Sequence, residues 1–485
     1  MTELHDLTAT EQAEAVRTGT VSPVELTEHY LDRVDRLGAG LGAFITFTPE
    51  LARAQAAEAE TAALAARKAG EERHALGPLH GVPVPVKDLN HVAGVTCTYG
   101  SAAFTGHVPE TDDHIVRRLR EGGSPMIGKS NTPEFGLPCY TENLVAPPAR
   151  SPWDTERSAG GSSGGAAAAV AAGLAPVAQA SDGGGSIRIP ASVCGLFGIK
   201  PSRGLVSSGP VLHDVTGLAT AGPLARTVAD AAALLDVLAG PMPGDPYAAP
   251  ALPPGETYRA WADADRAPAR LRVAHLMRPA VPGVTSHPEC EAAARETAAL
   301  LRTLGHEVDE IDIPADERLA GAFTRVWSVM AAMRPLPAGG EESLMPLTRH
   351  LRELGGQVSG PEFAQGLYAL RATGQLIADA LMVPGTGYDV ILSPTLAKLP
   401  APVGGLRVDD DPKAEFAGLT HYTPFTALYN STGQPAVSLP LHWTDDGLPV
   451  GVMLAGRYGE DAPLLALSAQ LEAARPWAER KPSMW

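Results

Sequence analysis

Aromatic residues are scarce in this chain, 5% of 485 positions, and there are only four cysteines, Cys97, Cys139, Cys194 and Cys290. Four cysteines cannot staple so long a chain, and they show neither CxxC nor Cys/His metal spacing, so a reducing cytoplasm is the expected compartment. The histidines are dispersed, without an H-E-x-x-H pair, and no metal or cofactor is expected. Basic residues are in deficit, 38 Lys and Arg against 55 Asp and Glu, for a net charge of −17. Phosphate binding needs clustered Lys and Arg, so a broad nucleic-acid surface is excluded, though a local basic pocket is not. The opening Met1-Thr2-Glu3-Leu4-His5-Asp6 lacks the basic and apolar regions of a signal peptide. The longest apolar stretch, 166–178, is broken by Gly173 and Pro176 and is too short for a bilayer. The remaining composition, 44% hydrophobic, is that of a globular chain able to bury a large core.

The first 75 residues read as helices. Ser22-Pro23-Val24-Glu25 predicts a capping box, Leu26, Tyr30, Val34 and Leu37 follow at helical spacing, and Gly38 supplies a stop. Residues 51–73 predict an exposed Ala-rich helix. Short β-type runs at 82–86 and 126–127 lead into Lys87 and into Gly128-Lys129-Ser130-Asn131. From 271 onward strand and helix signals alternate: strands at 271–276, 308–313, 388–391, 436–441 and 450–454, and helices at 288–304 and 462–473. That alternation predicts an α/β layered fold around a largely buried sheet. Residues 245–270 read as a linker or a long surface connection, and 335–361 as a loop or lid over a site.

The chemistry concentrates between 158 and 203. Gly160-Gly161-Ser162-Ser163-Gly164-Gly165 is followed by an Ala-rich run and by Ser181-Asp182-Gly183-Gly184-Gly185-Ser186-Ile187-Arg188. A Gly/Ser cluster is commonly a flexible linker, but here each cluster abuts an apolar segment. Gly160–Gly164 also fits the short G-x-S-x-G elbow pattern, and a phosphate loop fits less well because no Gly-Lys-Ser/Thr follows in register.

Taken together with Gly81-Val82-Pro83-Val84-Pro85-Val86-Lys87-Asp88, Gly128-Lys129-Ser130-Asn131, Ser151-Pro152-Trp153-Asp154, Gly222-Pro223-Leu224-Ala225-Arg226 and Gly433-Gln434-Pro435-Ala436, these motifs resemble the amidase signature family. The likeness runs to cyclic nylon-dimer hydrolases, aryl acylamidases and urethane-cleaving amidases. Small departures are Ser181 and Ser151, where Thr and Asn are common. The resemblance implies an amidase signature fold, a mixed central β-sheet covered by helices on both faces, as one domain over 1–485 with the signature core at about 75–240 and a variable substrate-loop region at about 313–387. It implies Ser186 as nucleophile, Ser162 as a proton relay on a cis peptide bond, Lys87 as base, and Ser163, Asp182 and Arg188 in support.

The physical reasons stand beside it. A serine hydroxyl needs a base within reach, and a lysine can serve if burial lowers its pKa from about 10.4 by several units. Gly183, Gly184 and Gly185 would let backbone N–H groups converge on an oxyanion. Lys129 reads as structural, and Asp88 as a cap or turn in the chain after Lys87. Tyr140, Trp327, Tyr422 and Phe425 are candidate walls of a substrate pocket, with Leu137, Pro138, Phe323, Met330, Met333 and Tyr429 near them. The expected substrate is a small neutral amide or carbamate, handled by a monomer or homodimer without nucleic acid or membrane. The alternative is the catalytic subunit of a glutamine-dependent tRNA amidotransferase.

Overall fold

In the computed structural model, residues 3–69, 76–211, 214–279, 281–313 and 317–485 are described. Its centre is an eight-stranded mixed sheet. In chain order the strands are β1 (Val177–Asp182), β2 (Phe197–Lys200), β3 (Thr220–Ala225), β4 (Arg272–Leu276), β5 (Glu307–Ile311), β6 (Val390–Pro394), β7 (Ala436–Trp443) and β8 (Pro449–Gly456). Across the sheet they run β5-β4-β6-β8-β7-β2-β3-β1. The β5-β4-β6 side is parallel and every later pairing antiparallel.

Successive side chains along a strand point to opposite faces, and both faces here are apolar, which requires cover on each. Val437, Leu439, Val452 and Leu454 pack with the helices Val228–Leu238, Pro288–Thr303 and Asp461–Ala474. On the opposite face Ala178, Ala180 and Leu224 meet α1 (Gly164–Ala171) and α2 (Arg188–Cys194). The predicted strands and helices beyond 271 are all present, with ends shifted by a few residues. Residues 245–270 form a surface connection with short helical turns, tied to the fold where Tyr258 N–H donates to Asp236 Oδ1 at 2.6 Å.

Four local expectations change. The Ser22 hydroxyl caps helix Pro23–Arg33 by accepting from Val24 N–H and Glu25 N–H and donates to Glu60, but the Glu25 side chain does not return to the Ser22 N–H, so the reciprocal half of the box is absent. Gly38 does not stop that helical run. It continues to Leu41 and ends at Gly42, whose φ of 57° only a residue without a Cβ adopts easily. Phe44–Phe47, inside the stretch read as helical, is a strand paired antiparallel with Gly128–Ser130. Helix Pro49–Ala69 matches the Ala-rich segment, whose predicted continuation to Arg73 lies outside the described residues.

The region read as substrate loops is mostly helical: α3 (Glu317–Met333), Pro346–Gly356 and Gly360–Leu381. The 335–361 stretch, read as a loop or lid, therefore contains a helix of its own, Pro346–Gly356, with short connections on either side. Beyond it, α4 (Pro412–Tyr422) and α5 (Ala427–Thr432) complete the wall over the β1–α2 turn. Among the described residues no helix is long and apolar enough to cross a membrane.

Candidate active site

Lys87 arrives on a two-residue strand, Val86–Lys87, paired in parallel with Gly128–Ser130. This strand docks beside β1, where Gln179 N–H donates to Pro85 O at 3.1 Å and Lys87 N–H to Gln179 Oε1 at 2.9 Å. The Lys87 side chain is fully buried. Its Nζ lies 2.8 Å from both Ser162 Oγ and Ser163 Oγ, 3.1 Å from Ser181 Oγ and 3.4 Å from Ser181 O. Burial pulls the amine down to about 7, partly opposed by the negative charge of Asp182.

The two serines are not equivalent. Ser163 Oγ donates to Ser181 O at 3.1 Å and accepts from Ser181 N–H at 3.3 Å. Ser162 Oγ meets Lys87 alone among the described side chains. The bond joining Gly161 to Ser162 is cis. A Cβ on Gly161 would sit 2.6 Å from the Tyr140 carbonyl group, so glycine is required by close approach there.

Ser186 stands at the turn between β1 and α2, nearly buried, with no hydrogen bond from its hydroxyl among the described residues. Asp182 organises this turn. Its carboxylate accepts from Gly185 N–H at 2.7 Å and Ile187 N–H at 3.1 Å, and pairs with Arg188 through Nε and Nη2, both at 2.9 Å. Burial alone would raise the Asp182 carboxyl, but the Arg188 guanidinium outweighs it and holds the group below the usual carboxylate range. The expectation for the three glycines is corrected at one position. Gly185 N–H is spent on Asp182 and is not available to an oxyanion.

Two partners of this turn went unread in the sequence. Asn430 Nδ2 donates to Asp182 Oδ1 at 2.9 Å and to Asp182 O at 3.0 Å, while its Oδ1 accepts from Arg188 Nη2 at 2.7 Å. Thr426 Oγ1 donates to Gly184 O at 2.6 Å. Both precede the Gly433-Gln434-Pro435-Ala436 motif by a few residues, the one signal that could have drawn notice to them. Lys200, at the end of β2, is another fully buried lysine, pushed down to about 7 by burial and the nearby Arg188. It donates to Pro201 O at 2.9 Å and meets no serine hydroxyl among the described residues. Lys129 pairs with Asp88 at 2.8 Å, both buried, and Asp88 also accepts from Thr98 N–H and Oγ1. The structural reading of that pair fits these contacts.

A cavity of about 150 Å³ opens beside Ser186 and Gly184. Trp327 and Phe425 line it, with Leu137, Pro138 and Phe323. Tyr140 and Tyr422 do not. Tyr140 is buried with its hydroxyl on Glu415 Oε1 at 2.5 Å, and Tyr422 lies in the same apolar cluster. Met333 is exposed, and Tyr429 is buried in a separate core cluster. Phe416 and Leu419 of α4 complete the wall. No charged side chain lines the cavity among the described residues.

The amidase family profile matches residues 25–465. The chain is 36% identical to the 6-aminohexanoate-cyclic-dimer hydrolase of Paenarthrobacter ureafaciens, over 98% of this chain and 96% of that one. It is 35% identical to an acylamidase of Rhodococcus erythropolis, over 100% and 99% of the two chains. A solved 6-aminohexanoate cyclic dimer hydrolase in complex with substrate superposes with a TM-score of 0.90 at 34% identity over the full length of both chains. A bacterial aryl acylamidase of the amidase signature family gives 0.85 at 26% identity, over 98% of each.

Proposed function

Since the chain belongs to the amidase signature family and hydrolyses amide C–N bonds, we propose that it acts on small, neutral, largely apolar amides of aryl, cyclic or carbamate type through a Ser186–Ser162–Lys87 relay. The observation that carries the mechanism is the buried Lys87 amine, lowered to about 7 and set 2.8 Å from Ser162. A neutral amine has two N–H bonds and one lone pair. Ser163 has given its proton to Ser181 O and can only accept from Lys87, and Ser181 takes the second N–H. The lone pair is then left for the Ser162 hydroxyl.

In this reading Ser186 Oγ attacks the amide carbon as its proton passes to Ser162, whose own proton moves to Lys87. The carbonyl oxygen becomes an oxyanion facing Gly183, Gly184 and Ser186 N–H. Ser162 returns a proton to the departing nitrogen and is refilled from Lys87, so the C–N bond breaks and an acyl or carbamoyl ester on Ser186 remains. Water reverses the sequence and frees the acid. Asp182 and Arg188 brace the turn without entering the chemistry. The uncharged cavity supports a neutral substrate, because a buried charge without a partner is strongly penalised. The relatives named above act on a cyclic amide or carry an acylamidase name, in keeping with this choice. No observation favours the tRNA amidotransferase alternative, and it is set aside.

A fluorophosphonate probe should form one adduct, on Ser186, by peptide mass spectrometry. Labelling of Ser162 or Ser163 in its place would overturn the assignment. A neutral anilide should be cleaved much faster than a charged amide of similar size, and the reverse order would remove the apolar-pocket reading.

A further inference from the structure

The hydroxyl side chains lining the cavity beside Ser186 are all spent. Thr324 Oγ1 donates to Ala320 O at 3.0 Å, and Thr420, Thr423 and Ser431 donate to Phe416 O, Leu419 O and Ala427 O, each at 3.1 Å. Each acceptor is the carbonyl four residues back, a local bond that helical Ser and Thr commonly make. A hydroxyl has a single proton, so none of the four has one left for a substrate.

Trp327 differs. An indole N–H can only donate, and a buried one ordinarily finds a partner. Trp153 and Trp477 do so, donating to Cys194 O and Arg226 O. Trp327 is 7% exposed and borders the cavity, yet its N–H has no partner among the described residues. Nor is that N–H sealed from open space, as those of Trp261 and Trp443 are. The ring is held from two sides. It stacks on Phe323 at 5.3 Å between centroids and 19° between planes, and its Cη2 and Cζ3 lie 3.2 and 3.3 Å from where a Cβ on Gly183 would stand. The indole is thus a rigid donor, fixed over the turn that carries Ser186.

We propose that the Trp327 Nε1–H is a specificity group, donating to a second neutral oxygen acceptor that the substrate carries besides its scissile carbonyl. The inference rests on the reading of this cavity as the substrate site. It names a narrower class: neutral amides with a mainly hydrocarbon body and one further carbonyl or ether oxygen. Among the described lining residues, such an oxygen meets no other free side-chain donor except Ser186 and the weak thiol donor of Cys139. A hydrocarbon analogue filling the cavity would displace water from the indole N–H and offer it no partner, which a site built around a hydrogen bond penalises.

The test is a series of acyl anilides in which one oxygen replaces a methylene, stepped along the acyl chain and then around the ring, with the all-carbon parent as reference. Wild-type enzyme should prefer one oxygen-bearing member over the parent by about tenfold in kcat/KM. Trp327→Phe keeps an aromatic stack and removes the N–H. It should lose about tenfold on the preferred compound and less than about twofold on the parent. Thr420→Val and Thr423→Val should leave the preference unchanged. The proposal is overturned if no oxygen position beats the parent, if Trp327→Phe lowers both compounds alike, or if either valine variant erases the preference. Cleavage of the whole series without preference would end this inference and leave the amidase reading standing. Failure to cleave any member would bring down both.

Discussion

Lys87 and Lys200 are both fully buried and both lowered to about 7, yet their neighbours differ. Lys87 faces three serine hydroxyls, and Lys200 faces a backbone carbonyl. Only the first can pass a proton to a nucleophile. The base must be neutral, so kcat/KM should rise with pH through about 7 and stay high on the alkaline side. Lys200→Met should keep that limb in the pH–rate profile. Lys87→Ala should lose about a thousandfold or more, and retention of over a tenth of wild-type kcat/KM would rule out its role as base. The proposed triad and its supporting residues could be named from the sequence because each sits in a short contiguous motif. The partners of the nucleophile turn were not. Asn430 and Thr426 reach Asp182 and Gly184 across 248 and 242 residues of chain. Nor does a hydrophobic pattern say whether an aromatic side chain faces a cavity or a core, so Trp327 and Phe425 could not be told from Tyr140 and Tyr422.

At the scale of elements, the Ser186 turn has its own short framework of β1, α2 and α5, joined through the Asp182–Arg188–Asn430 set. Both charges of the pair are buried, so truncating one leaves the other in a poor solvent. Arg188→Ala should cost about 3–5 kcal/mol in chemical denaturation, against about 1 kcal/mol for an ordinary exposed ion pair. An exposed-pair value would mean that water reaches Asp182. Elements with strong local signals were readable: the sheet strands beyond 271, the Ser22 start and the Ala-rich helix. Those misread depended on tertiary pairing. Phe44–Phe47 is a strand because Gly128–Ser130 supplies its partner, and the helical run continues past Gly38 because packing overrides one weak helix former.

Across the whole molecule, buried acids and bases make stability depend on pH. Glu472 accepts from Val228 N–H, joining helix Asp461–Ala474 to the start of helix Val228–Leu238, and burial pushes its carboxyl up to about 8. The folded chain therefore holds a proton that the unfolded chain releases near 4.5. The stability this contributes is complete below about 4.5 and is lost as pH rises through about 8. Glu472→Gln lacks that dependence. Wild-type stability relative to the variant should fall between pH 4.5 and 8 and level off above, as followed by denaturant midpoints. A flat difference would place this carboxylate in water.

The two margins of the eight-stranded sheet are guarded in different ways. At β5 the outer strand carries Glu307, Asp309 and Glu310, whose charges discourage a second chain from adding a strand. At β1 the free backbone is occupied by the segment that delivers Lys87, through Pro85 O and the Gln179 side chain. One short latch thus closes a sticky margin and seats Lys87. When heat lifts that segment, the proposed base leaves its site and the strand best placed to template aggregation is bared. Thermal inactivation and the first step of aggregation then share a single event, and a stabilising change at Pro85–Lys87 would delay both together.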